Sequence, residues 1–269
     1  MLRKLLKYEF KATGRIFLPL YLALIVISFI QRLFLQFNIG SMGDVVVNIL
    51  SLIVPSMFGA IIIAICVVTF VMIIQRFYKN LLGREGYLMF TLPVSVSKLI
   101  WSKLIVVMVW TALSVLVGII SFMIVVFNIN DIGLVFSEFS RAFSLMFSEG
   151  FGLTALICFL IVVVSCVSEV LSIYLSMAIG QLSGKHKGLC SVGAYIGLSI
   201  IVNNIVMAII FGAGNSALGK SILVNVFQPM SEMQAINSVM IILLAFFVIQ
   251  SAVYFLLTKY LLTKKLNLE

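Results

Sequence analysis

Charge is nearly absent from six long windows of this chain, and no other feature limits its fold so sharply. Ile16 to Gln31, Val45 to Gln75, Leu104 to Asn130, Gly188 to Gly219 and Met233 to Thr258 contain no Asp, Glu, Lys or Arg, and Gly150 to Gly184 is interrupted only by Glu169. A helix needs about 20 apolar residues to cross the hydrocarbon of a bilayer. Backbone amides in lipid must be satisfied within the segment, and a membrane barrel would instead show short alternating strands of about ten residues. The windows therefore predict an all-α membrane protein with six transmembrane helices, near 16–37, 49–75, 99–127, 151–180, 189–212 and 238–260. Composition excludes the soluble alternative: 63% of the residues are hydrophobic and 10% charged, where soluble domains are about half apolar and a quarter charged. Arg32 lies near the outer end of the short first window, from which its long stem can snorkel to the headgroups.

Orientation follows from the basic residues between the spans, because Lys and Arg are retained on the cytoplasmic side. Arg3, Lys4, Lys7, Lys11 and Arg15 precede the first span. Arg76, Lys79, Arg84, Lys98 and Lys103 lie between the second and third, Lys185 and Lys187 follow the fourth, and Lys259, Lys264 and Lys265 follow the sixth. Only Arg32, Arg141 and Lys220 fall on the other side, which also carries Asp44, Asp131, Glu138, Glu149 and Glu232. Both termini are thus expected in the cytoplasm of a multi-pass cell-membrane protein. The net charge of +9 reads as a topology signal and not as a nucleic-acid footprint. No cleavable secretory signal is expected, since no small-x-small site follows the first apolar run.

Residues 1–15 have helical amphipathicity, with Leu2, Leu5, Leu6 and Phe10 on one face and the five cations opposite. This predicts an interfacial helix lying at the inner leaflet, or a basic flank that only orients the first span. The connection 76–98 carries Leu81, Leu82, Tyr87, Leu88, Phe90 and Leu92 among its charges. So many large apolar groups need a packing surface, either a partner protein or the chain's own span ends. Among the outer segments, 128–150 has room for a short amphipathic helix, and 213–237 holds an apolar run, ILVNVF, too short to span. The six-helix domain covers 16–269.

Several residues invite a chemical reading. Gly214 to Ser221 spells GNSALGKS, which satisfies the phosphate-loop pattern. That loop works only between a strand and a helix of an α/β domain. Here a span precedes it, on the outer side, and the last span follows, so the match is read as coincidence. Glu169 is the one acid expected inside a span, where carboxylates usually face the bundle interior or a water-filled path. It is read either as a contact for a cationic substrate or a proton-linked group, or as a structural group bonded to Ser165, Ser168, Ser172 or a facing helix. Asn203 and Asn204 are read as interhelical hydrogen-bonding groups, or as polar contacts for a substrate along the translocation path. Cys66, Cys158, Cys166 and Cys190 lie in or beside spans and read as small core residues. His186, the single histidine, has no zinc-binding partner or nucleophile near it in sequence, so no catalytic constellation or metal site is expected.

Three stretches together resemble the integral-membrane subunits of type-two ABC transporters. MLRKLLKYEFKATGRIFLPLY looks like the connecting helix that opens that fold. REGYLMFTLPVSVSKLIWSKL is similar to the cytoplasmic connection between its second and third spans. LSIYLSMAIGQLSGKHKGL resembles the end of its fourth span and the basic turn that follows. The resemblance implies a permease subunit, not itself an enzyme, that pairs with a second permease chain (identical or similar) and docks on a separate ATPase carrying the ATP and magnesium. Lys79, Leu82, Arg84, Glu85, Tyr87, Phe90 and Leu92 would then lie in or beside the coupling helix held by the ATPase. Residues 213–237 would fill the slot of the family's outer re-entrant element. Its compact outer region suits export of an amphipathic peptide or drug-like compound. A self-contained secondary transporter using Glu169 is the alternative.

Overall fold

The computed structural model describes residues 2–36, 45–82, 95–126, 133, 137–138, 140–141, 143–144, 151–183, 186–215 and 231–264. Among these there is no strand. Six long helices run in order: α1 Leu2–Gln36, α2 Val45–Phe77, α3 Val96–Val126, α4 Phe151–Gly180, α5 Lys187–Asn215 and α6 Glu232–Lys264, with a short π-helical turn, Tyr78–Leu82, at the end of α2. Each contains a stretch long and apolar enough to cross a membrane. The protein is therefore all-helical and multi-pass in character. Large apolar side chains such as Leu52, Phe159, Leu189 and Ile242 stand exposed on the helix surfaces, as lipid-facing positions require.

Observed helices overrun the expected spans at several ends, and local chemistry explains one case. α6 starts ahead of residue 238 because Ser231 and Gln234 form a reciprocal capping box: the Gln234 amide donates to Ser231 Oγ at 3.4 Å and the Ser231 amide to Gln234 Oε1 at 3.2 Å. At the other extreme, α1 runs through residue 15 without a break. The boundary expected between an interfacial helix and the first span is not visible as an interruption; Pro19 is the only proline inside that helix.

The chain divides into two packing units, residues 1–76 with 98–143 and residues 77–97 with 144–269. In the first, α1 and α3 run parallel. Contacts between them advance together along both helices, from Glu9–Lys103 through Thr13–Trp110 and Tyr21–Ser114 to Arg32–Val125. Phe17, Tyr21, Leu24, Ile65, Met72, Val106 and Trp110 form the core, with the Phe17 and Trp110 rings stacked at 4.7 Å. Arg32 does not simply snorkel outward. Its guanidinium donates to the Val125 carbonyl at 3.2 Å, placing a cation at the carboxyl end of α3, where the unpaired carbonyls favour it.

In the second unit α4 is central and packs on both α5 and α6. From Ser168 to Gly180 it is buried at every position but Glu169 and Ile179. Thr154 Oγ1 bonds Asn237 Oδ1 on α6 at 2.7 Å, and the Phe77 ring stacks on Tyr174 at 4.0 Å. Gly180 ends α4 where α5 turns back tightly. A Cβ placed there would come within 2.7 Å of the Ser191 amide nitrogen and 2.8 Å of the Lys187 carbonyl oxygen, so this turn requires glycine.

The cysteines depart from expectation. All four are free, and Cys66, Cys158 and Cys190 are exposed while Cys166 is half-buried. They are not core residues; a thiol is apolar enough to face lipid instead.

Candidate functional site

Two helix-borne carboxylates define the polar sites, one in each unit. Glu9 lies on α1 in line with Leu6, Phe10, Thr13 and Phe17, the stripe that α1 turns inward, and it is 8% exposed. Lys103 of α3, 2% exposed, donates to Oε1 of Glu9, and Arg76 near the end of α2 stands 3.6 Å from Oε2. The Thr13 hydroxyl donates to the Glu9 carbonyl at 2.8 Å and accepts from the Trp110 indole N–H at 2.7 Å. Glu9, Thr69, Arg76, Lys103 and Trp110 border a cavity of about 20 Å³, room for roughly one water molecule. A buried acid flanked by two cations is neutralised within the protein. Its chemistry is that of a lock: removing one partner leaves an uncompensated buried charge.

Glu169 sits in the opposite environment. It is exposed, although its neighbours Ser168, Val170 and Leu171 are buried. Its electrostatic partner is Tyr195 on α5, which in turn lies in electrostatic reach of Tyr254 on α6. Tyr254, 6% exposed, accepts from Gln250 Nε2 at 3.1 Å. The Gln250 Oε1 is buried without a hydrogen bond; whichever way the amide is turned, one of its two polar atoms stays unmatched. No Lys or Arg among the described residues pairs with Glu169. The three serines expected around it do not bond its carboxylate. Ser172 donates to the backbone carbonyl of Glu169 at 2.8 Å, Ser165 donates to the Val162 carbonyl at 2.9 Å, and Ser168 Oγ has no partner. Serine hydroxyls on a helix reach the carbonyl three or four residues back more readily than a neighbouring side chain.

Asn203 and Asn204 also depart from the interhelical expectation. Both are exposed. Asn204 Nδ2 donates to the Ile200 carbonyl of its own helix at 2.8 Å, so it makes no interhelical bond. Ser191, Tyr195, Ser199 and Asn203 recur every fourth residue along α5, which makes each the helical neighbour of the next. That polar ladder is legible in the sequence as a four-residue repeat.

Of the residues assigned to the coupling segment, Lys79 is exposed in the π-helical turn, whereas Leu82, 7% exposed, packs within this chain. Arg84, Glu85, Tyr87, Phe90 and Leu92 lie outside the described residues, as do most of 213–237 and Ser221 itself. Gly214 falls in the last turn of α5. A helix, not a strand, therefore leads into the phosphate-loop pattern, and the context that loop needs is missing at its start. His186 is exposed and its carbonyl accepts the Cys190 amide at the start of α5. The Glu9 cluster escaped the sequence reading altogether. Its signal was a single acid on the apolar stripe of a segment otherwise charged with five cations.

No protein-family model, curated protein or solved structure matches this chain.

Proposed function

We propose that this chain is the membrane permease subunit of a type-two ABC exporter. It works with a second permease chain and a separate ATPase that holds ATP and magnesium, in the cell membrane with both termini cytoplasmic. The observation that carries this reading is the order of three stretches: a basic amphipathic opening, a Glu85–Gly86 to Leu92–Pro93 connection between α2 and α3, and a basic turn after α4. Six helices of spanning length are consistent with it. In this reading ATP binding closes the ATPase dimer and moves the segment around Lys79, Arg84, Glu85, Tyr87, Phe90 and Leu92. That motion alternates access to a path for an amphipathic peptide or drug-like compound. Leu82, buried within this chain, suits the foot of that segment.

Purification from native membranes in mild detergent tests the proposal. An ABC ATPase at about one copy per permease chain is expected, and a second permease species would identify a heterodimer. Consistent absence of any ATPase from intact, folded chain would reject the subunit assignment. Glu169, exposed and without a cation, favours one second reading: a self-contained secondary transporter. That reading requires gradient-driven uptake into liposomes holding this chain alone, abolished in Glu169→Gln.

A further inference from the structure

We infer that Glu169, with the hydroxyl and ring of Tyr195, binds the positively charged group of the transported compound, which makes the cargo an amphipathic cation. The inference rests on the transport reading above and adds the chemical class of the substrate.

Depth is the first reason. At 1.5 Å per residue Glu169 stands roughly 16 Å from the Gly180 end of α4, well inside a hydrocarbon layer of about 30 Å. An ionised carboxylate at that depth is costly unless a positive charge or water reaches it. Among the described residues no Lys or Arg pairs with it, whereas Glu9 holds Lys103 and Arg76. The second reason is direction. α4 buries its side chains from Ser168 to Met177 except at Glu169, so the carboxylate is presented outward from a rigid, packed support. Third, its immediate partner suits a cation. Tyr195 lies in electrostatic reach of the carboxylate, and its ring offers a negative π face. Tyr254 and Gln250 hold their own hydrogen bond behind it.

The surroundings set the rest of the ligand. Ser191, Tyr195, Ser199 and Asn203 extend for roughly 18 Å along α5 at 1.5 Å per residue, a polar line passing Glu169. The same helix exposes Ile196 and Ile200, each more than half accessible. A ligand lying there meets polar and apolar surface side by side. An anion would be repelled by Glu169, and a neutral apolar compound would leave the carboxylate unpaired in a low-dielectric medium. A compound with one cationic group and an apolar body satisfies both.

The test uses the purified full chain in nanodiscs of zwitterionic lipid, with no ATPase present. The probes are tetraphenylphosphonium and the equal-sized anion tetraphenylborate, read against empty discs. The phosphonium should bind above the empty-disc level and the borate should not. Glu169→Gln should weaken phosphonium binding about tenfold, Glu169→Asp should recover part of it, and Tyr195→Phe should weaken it about twofold. Monodisperse elution of each variant shows that it is folded. Wild-type discs that take up no more phosphonium than empty discs would overturn the inference. So would a folded Glu169→Gln with wild-type affinity, which would assign the carboxylate to a contact with another protein chain. Failure to find an ATPase in native membranes would reject the exporter assignment and leave these binding results standing.

Discussion

Glu9 and Glu169 are two acids of the nine in this chain, each carried by a helix with a span-length apolar stretch, and their settings are inverted. Glu9 comes from the most basic segment of the sequence, yet its carboxylate is buried against Lys103 and Arg76. Glu169 comes from a window without any other charge, yet it is exposed, and no Lys or Arg among the described residues pairs with it. In a water-soluble protein the exposed acid would be the unremarked one. In lipid the ranking reverses, because exposure means contact with hydrocarbon unless a ligand, water or another chain intervenes. A charge satisfied by its own fold is spent on stability; one left open by a well-packed helix is available for something outside it.

The sharpest way to break this comparison is to neutralise each acid and measure unfolding in detergent. Glu9→Gln removes the carboxylate that Lys103 and Arg76 share and should destabilise by about 3–5 kcal/mol, while the double variant Glu9→Met/Lys103→Met should recover much of that loss. Glu169→Gln should stay within about 0.5 kcal/mol of wild type, as exposed substitutions usually do. Equal losses for the two single variants would mean that Glu169 is also structural. Next in size, Gly180→Ala should cost about 1–3 kcal/mol by pushing a methyl against the backbone of the α4–α5 turn. It tests whether the second unit depends on close packing where the first depends on charge. A wild-type melting temperature for that variant would show that the turn relaxes freely. Trp110→Phe removes the N–H bond to Thr13 beside the Glu9 lock and should cost about 1–2 kcal/mol, read as a lower midpoint in thermal unfolding. Smallest of all, Tyr195→Phe should change stability by less than about 0.5 kcal/mol, its effect being confined to cation binding.

The six helices were legible because apolar length is a one-dimensional property: α4 matches its expected bounds at both ends, Phe151 and Gly180. Contacts were much less so. Lys103 counted as one more cytoplasmic cation, but it is the partner of an acid in a different helix, and only three-dimensional packing brings residues so far apart in sequence together. Glu169 was singled out by its isolation; of the structural partners expected for it, nearby serines or a facing helix, the serines do not bond its carboxylate and its electrostatic partner, Tyr195, lies on α5. Thr154 and Asn237 do bond each other across α4 and α6, but short side chains on a helix often bond their own backbone. Asn204 illustrates the same rule, since its amide is taken up by Ile200 one turn back.

Pro19 gives the missing boundary in α1 another form. Having no N–H, it cannot bond the carbonyl four residues earlier, and that carbonyl belongs to Arg15, the last residue of the basic opening. The helix is continuous in outline while its ladder lacks a rung where lipid-spanning and membrane-edge sequence meet. Bending there sacrifices less than bending elsewhere in α1, and the first turns are held by the grip of Lys103 and Arg76 on Glu9 together with the packing of Leu6 and Phe10 on the core. Amide exchange over residues 2–15 should therefore respond to the state of a side-chain carboxylate in the middle of that segment, so that the looseness of this end of the molecule is set by electrostatics and not by helix propensity.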